Sequence, residues 1–103
     1  MIKMSVFYPY EAGKSFDIAY YCNTHMPLVR EKLGAVLKSI AVEHGVAGEQ
    51  PGSPPAFIAI GHLYFDSVEA FQRAFAPHAE AILADIPNYT SITPIIQFSE
   101  VKM

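Results

Sequence analysis

From Ile2 to Tyr8 apolar residues alternate with others at the two-residue period of a half-buried strand, and Pro9 to Gly13 then supplies turn residues. A helical pattern runs from about Ser15 to Leu33, with Gly34 placed to stop it. Pro27 lacks a backbone N–H and pushes the preceding residue away from helical angles, so this helix is expected to break near Thr24, which would cap a new turn. Leu37 to Val46 and Ala56 to Phe65 read as the second and third strands. Between them, Gly45 to Pro55 carries three glycines and three prolines, a loop of the kind used as a lid, an arm or a mobile segment. Asp66 or Ser67 caps a second helix, with Glu69 three residues after Asp66 as in a capping box. Phe71, Phe75, Ala79, Ile82, Leu83 and Ile86 follow at helical spacing. Pro77 should divide that helix, Pro87 should end it, and Ile92 to Val101 is the fourth strand.

The order βαββαβ predicts an α+β, ferredoxin-like fold: one domain over residues 1–103, a four-stranded antiparallel sheet, and both helices on one face. Alternate residues assign Met4, Val6, Ile40, Val42, Ala59, Leu63, Ile96 and Phe98 to the helix face. The opposite face receives Ser5, Phe7, Ser39, Ala41, Glu43, Ile58, Ile60, His62, Tyr64, Ile95, Gln97 and Ser99. That set is too apolar for a bare solvated face and too polar for a core, so it reads as a lining. A second copy packed over it would bury Phe7, Ile58, Ile60 and Ile95 and leave a pocket edged by Glu43, His62, Tyr64 and Gln97. A homodimer paired face to face is therefore expected, with an apolar small molecule as ligand.

Composition narrows the function class. The formal charge is −3 and the seven Lys and Arg residues are scattered, which argues against nucleic acid as partner. No charge-free apolar run approaches the ~18 residues of a membrane span. Strand-like residues begin at Ile2, leaving no room for a secretory signal, and Cys22 is the lone cysteine, so a reducing cytoplasm is the expected compartment. Cys22 reads as a small buried hydrophobe rather than a nucleophile.

The chemistry concentrates in Tyr20-Tyr21-Cys22-Asn23-Thr24-His25-Met26-Pro27-Leu28. If helical geometry persists from Tyr21 to His25, their spacing puts a phenol and an imidazole on one face. The positive end of a helix dipole beginning at that junction would lower the imidazole pKa and favour its neutral form. His25 is then a general acid or base, Tyr21 its hydrogen-bonding neighbour, and His62 with Tyr64 the groups across the cavity. Phe7, Glu43, Gln97 and Tyr89 are assigned to substrate binding, with Tyr89 closing the pocket mouth. The structural alternatives are a histidine that braces a helix junction, a satisfied core histidine at 62, and a simple turn at Pro87-Asn88. The four histidines lie on separate elements with no ligand spacing, so no metal site is expected. Glu11-Ala12-Gly13-Lys14-Ser15 lacks the earlier glycine of a phosphate loop, so no nucleotide cofactor is expected either.

Asp17, Tyr20-Tyr21, Thr24-His25-Met26-Pro27-Leu28, Gly61-His62-Leu63-Tyr64-Phe65-Asp66 and Asp85-Ile86-Pro87-Asn88-Tyr89-Thr90 together closely resemble the EthD family, over essentially the whole chain. The resemblance implies a dimeric α+β barrel in which two ferredoxin-like sheets face each other across a small-molecule cavity. Similar barrels include isomerases, cofactor-free monooxygenases and haem proteins, so the resemblance leaves several chemistries open; taken with the residues above, the expectation is oxidoreductase or proton-transfer chemistry on an apolar, oxygen-bearing substrate without a tightly held organic cofactor. The alternative is a non-catalytic accessory protein that binds such a molecule for an oxygenase or a biosynthetic pathway.

Overall fold

A computed structural model describes residues 1–103. Four strands, β1 (Ile2–Pro9), β2 (Ser39–His44), β3 (Phe57–Phe65) and β4 (Ile95–Glu100), form one sheet in the order β2-β3-β1-β4. Every neighbouring pair is antiparallel. The helical segments cover one face, giving the expected α+β, ferredoxin-like arrangement. The molecule measures 41 × 33 × 19 Å, and the thin dimension is that of one helix layer on one sheet.

The first helical rod runs without interruption through α1 (Ile18–Tyr20), a π turn (Tyr21–His25) and α2 (Met26–Leu33). It starts at Asp17, whose side chain accepts from the Tyr20 N–H, rather than near Ser15. Thr24 caps nothing. Met26 stays helical, at φ −65° and ψ −39°, and its N–H reaches back five residues to the Tyr21 carbonyl. One extra residue in the turn thus absorbs the proline, relieving the clash that its ring would make with a carbonyl of a regular α-helix, and the rod continues without breaking. Gly34, at φ 62°, ends the rod with a backbone conformation that suits glycine.

The second helical layer is divided where Pro77 predicted, into α3 (Val68–Phe75), a 3-10 turn (Ala76–His78) and α4 (Ala79–Ala84), followed by a second 3-10 turn (Ile86–Asn88). Ser67 is the cap, accepting from Ala70 N, so Asp66 and Glu69 do not form a capping box. β2 and β4 are shorter than their apolar runs. Ile92 is buried in a corner, where its N–H bonds Thr90 Oγ1, and β4 begins only after Pro94. The segment 45–55 extends the β2-β3 hairpin as an arm, closed by bonds from Gly48 N to Ser53 O and from Ser53 N to Gln50 O. Val46 on that arm is 91% exposed.

Two motifs far apart in sequence are tied together at the start of α1. Phe16 bridges to Thr90, Asp17 N bonds Tyr89 O at 2.9 Å, and Thr90 Oγ1 donates to Ser15 O at 2.8 Å. The segment that follows α4 is thereby held against the π turn.

Candidate active site between helices and sheet

A cavity of about 300 Å3 lies between the helix face of the sheet and the helices. Its floor is Met4, Val6, Leu63, Ile96 and Phe98, five of the residues that strand alternation assigned to this face. Its roof comes from the rod and from α3 and α4. Of seventeen lining residues fifteen are hydrophobic, and the hydrogen-bonding groups among them are Tyr8, Tyr21 and His25.

The π turn places Tyr21 and His25 here. Their rings stack at 5.6 Å with 12° between planes, so the shared face expected from their spacing is present, as a stack rather than a hydrogen bond. Room for Tyr21 depends on Gly61 of β3: a Cβ at that position would overlap the Tyr21 hydroxyl and come within 2.9 Å of Met26 Cε.

The hydrogen-bonding partner of His25 is Asp85, sixty residues away in sequence. Nδ1 lies 2.9 Å from Asp85 Oδ2. The Tyr20 hydroxyl donates to Asp85 Oδ1 at 2.6 Å and Asn88 Nδ2 donates to the same oxygen at 2.9 Å. Burial pushes the Asp85 carboxyl up, but the bonds from Tyr20, Asn88 and His25 together overcome it and hold it below its ordinary value. An ionised carboxylate only accepts, so Nδ1 carries the imidazole proton and Nε2 presents a lone pair. Nε2 has no protein partner, yet it is not a sealed, orphaned atom. Burial lowers the His25 pKa and the Asp85 bond offsets this in part. The direction expected for His25 is found, but its cause is desolvation: the rod is continuous here, so no helix N-terminus faces the imidazole.

The tyrosines behave differently. Tyr8 and Tyr89 share a hydroxyl–hydroxyl bond of 2.7 Å, and the Tyr21 hydroxyl neighbours that of Tyr8. Burial raises the pKa of all three, so they remain protonated and serve as donors, not bases. Tyr89 sits behind His25, with ring centroids 4.8 Å apart, and is 3% exposed; it backs the imidazole instead of closing a mouth. The Tyr20 hydroxyl is taken up by Asp85, and of the two adjacent tyrosines only Tyr21 lines the cavity.

The other predicted residues occupy the opposite face of the sheet. Register places Ala41, His62, Ser5 and Gln97 in one row, Glu43, Ile60, Phe7 and Ile95 in the next, and Ser39, Tyr64, Lys3 and Ser99 in a third. Ser5 Oγ is 2.9 Å from His62 Nδ1, and His62 Nε2 is 3.4 Å from Glu43 Oε1. The sequence reading set His25 and His62 across one cavity; in the structure the sheet stands between them. The helix layer, split at Pro77, leaves the space on its own side of the sheet. Asp85 and Tyr8 were not anticipated. Asp85 is the carboxylate that heads the Asp85-Ile86-Pro87-Asn88-Tyr89-Thr90 motif, and Tyr8 continues the alternation of Met4 and Val6.

The family described as the EthD domain matches residues 11–93, a span that contains the π turn, the Gly61 strand and the Asp85 motif. The chain belongs to the EthD domain family. An EthD-like protein from Ralstonia eutropha, known from its crystal structure, is 48% identical and superposes with a TM-score of 0.96 over 99% of this chain and 92% of its own. An ethyl tert-butyl ether degradation family protein from Bacillus halodurans has a TM-score of 0.74 at 23% identity, covering 98% of each chain. In sequence, this EthD domain is 29% identical over 92 residues to an uncharacterized 11.0 kDa protein from the thcB-thcC intergenic region of Rhodococcus erythropolis, covering 88% of this chain and 85% of that one. For the fold alone, a dimeric ferredoxin-like protein of Thermobifida fusca gives a TM-score of 0.55 at 15% identity over 97% of this chain and 90% of its own. No helix of this EthD domain is long and apolar enough to cross a membrane.

Proposed function

We propose that this EthD domain binds a neutral, apolar, oxygen-bearing small molecule between its helices and sheet, and that His25 moves a proton on that molecule. The observation that carries the reading is the division of labour on the imidazole: Nδ1 is held by Asp85 and Nε2 is left without a protein partner, on a side chain that lines a cavity made almost wholly of hydrocarbon. Burial lowers the pKa of this base, so it stays unprotonated at neutral pH, and the hydrocarbon around it shelters it from competing water. The lining offers no Lys or Arg to hold the phosphates of a nucleotide. Assembly belongs to the same reading: two copies pair through the open sheet face, where Ile95 is 56% exposed.

Native mass spectrometry of the freshly purified protein tests both parts. A dimer, with or without a retained small molecule, agrees with the pairing, and a monomer at micromolar concentration removes it. For the site, His25→Ala should abolish turnover while ligand affinity changes little. The hydrocarbon lining also favours a second reading, a non-catalytic carrier, which predicts unaltered affinity in His25→Ala and no product from wild type.

A further inference from the structure

The cavity has two chemically different ends. At one end the side chains of Tyr8, Tyr21 and His25, the lining residues able to hydrogen-bond, lie against one another. At the other, Phe71 stacks on Phe75 with centroids 5.0 Å apart and 20° between planes, and meets Phe98 edge-on at 5.3 Å and 61°. Leu83 and Ile96, both about half exposed, border the opening beside Phe98. A volume of about 300 Å3 is at the small end for ligand sites, the size of a mono- or bicyclic molecule.

No lining residue is an acid, a lysine or an arginine. A carboxylate, phosphate or ammonium group placed there would lose its hydration without gaining a counter-ion, so the ligand is neutral. Phenylalanine faces and edges complement a flat ring, which puts the aromatic part of the ligand at the Phe71 end. At the other end the buried hydroxyls meet an oxygen as donors, and Nε2 can only accept. A carbonyl with hydrogen on the adjacent carbon satisfies both at once: its oxygen takes a hydroxyl and its C–H faces the imidazole.

Resting on the proton-transfer reading above, we propose that the substrate class is a neutral aryl-bearing ketone or aldehyde, which this cavity enolises. Nε2 takes the α-proton, the C–H electron pair forms the carbon–carbon double bond, and the carbonyl π pair moves to oxygen, where the Tyr21 hydroxyl stabilises it. The imidazolium returns the proton to the same carbon or, in a conjugated enolate, to a more distant one. His25 ends neutral, and nothing is oxidised or reduced.

The test uses β-tetralone in deuterium oxide, with exchange of its α-protons followed by NMR, and cyclohexanone as a neutral ketone without the aryl ring. Wild type should accelerate β-tetralone exchange by about 100-fold or more over buffer. His25→Ala should return it to background, with His25→Gln as the substitute if the alanine variant does not fold. Tyr21→Phe should remove most of the acceleration, up to about 100-fold. Phe75→Leu should weaken half-saturation by β-tetralone more than by cyclohexanone, and β-naphthol, a flat mimic of the enol, should compete. Saturable binding of β-tetralone without faster exchange overturns the enolisation and leaves cavity binding intact. Equal handling of cyclohexanone overturns the aryl preference. Acceleration that survives in both His25 variants overturns the assigned base, and failure of every neutral ring to bind overturns the underlying reading as well.

Discussion

His25 is fixed at one nitrogen and free at the other, so its surroundings control two separate properties, basicity and aim. Asp85 raises the imidazole pKa that burial lowers. Asp85→Asn should therefore move the acid limb of the pH–activity profile to lower pH, and should also reduce the maximal rate because the tautomer is no longer enforced. The same groups govern stability. With the folded pKa of His25 depressed, the unfolded chain binds a proton near the ordinary ~6.5 while the native protein does not, so stability falls as pH drops from there through the folded value. Asp85, also depressed, contributes fully above the ordinary carboxylate range and loses that contribution as pH falls through its own folded value. Urea midpoints measured from neutral pH downward should show wild type declining in the first window and His25→Gln declining less. Gly61→Ala should cost about 1–3 kcal/mol in a denaturant titration, because the new methyl collides with the Tyr21 hydroxyl, and ligand binding should weaken with it. His25 and Tyr21 were legible from spacing on one helix. Asp85 was not, since its link to His25 exists only after the chain has returned along four further elements.

At the scale of elements, the alternation of strand residues and the caps, glycines and prolines that punctuate helices carried most of the fold. The strand faces were assigned correctly because a sheet admits only two, and a period of two fixes which residue goes where. The first rod shows where such rules stop. Pro27 does forbid a regular α-helix, but whether a chain answers with a break or with an extra residue in the turn depends on what the flanking segments must reach. Here the rod must bring Tyr21 and His25 onto the sheet while its start is tied to Tyr89 and Thr90. Deleting Asn23 should remove the extra residue, restore an ordinary α turn and set the Pro27 ring against the carbonyl four residues before it, distorting the rod at Tyr20 and Tyr21. The expected outcome is helix content retained by circular dichroism, with the Tyr20 bond to Asp85 lost and activity lowered. A deletion without effect on the pH profile would show that the π turn does not set the geometry of the dyad.

The whole molecule is a single sheet with one face under helices and the other open. Ile95 on the open face is more than half exposed, so Ile95→Glu should leave the unfolding free energy of one copy within about 0.5 kcal/mol of wild type, while analytical ultracentrifugation should show the proposed dimer shifted toward monomer. The proposed face-to-face pairing rests on a feature readable in sequence, an apolar set that nothing in one copy covers. The cavity's side was not readable there, because the space left under a helix layer depends on how far its broken halves stand off the sheet, and periodicity carries no such distance. Along β1 and β3, neighbouring residues answer to different demands: Met4 and Leu63 touch the cavity, while Ser5 and His62 hold each other on the far side. A lineage could therefore retune what the cavity accepts by changing every second residue of a strand and leave its mode of assembly untouched, or remodel its assembly and keep its chemistry.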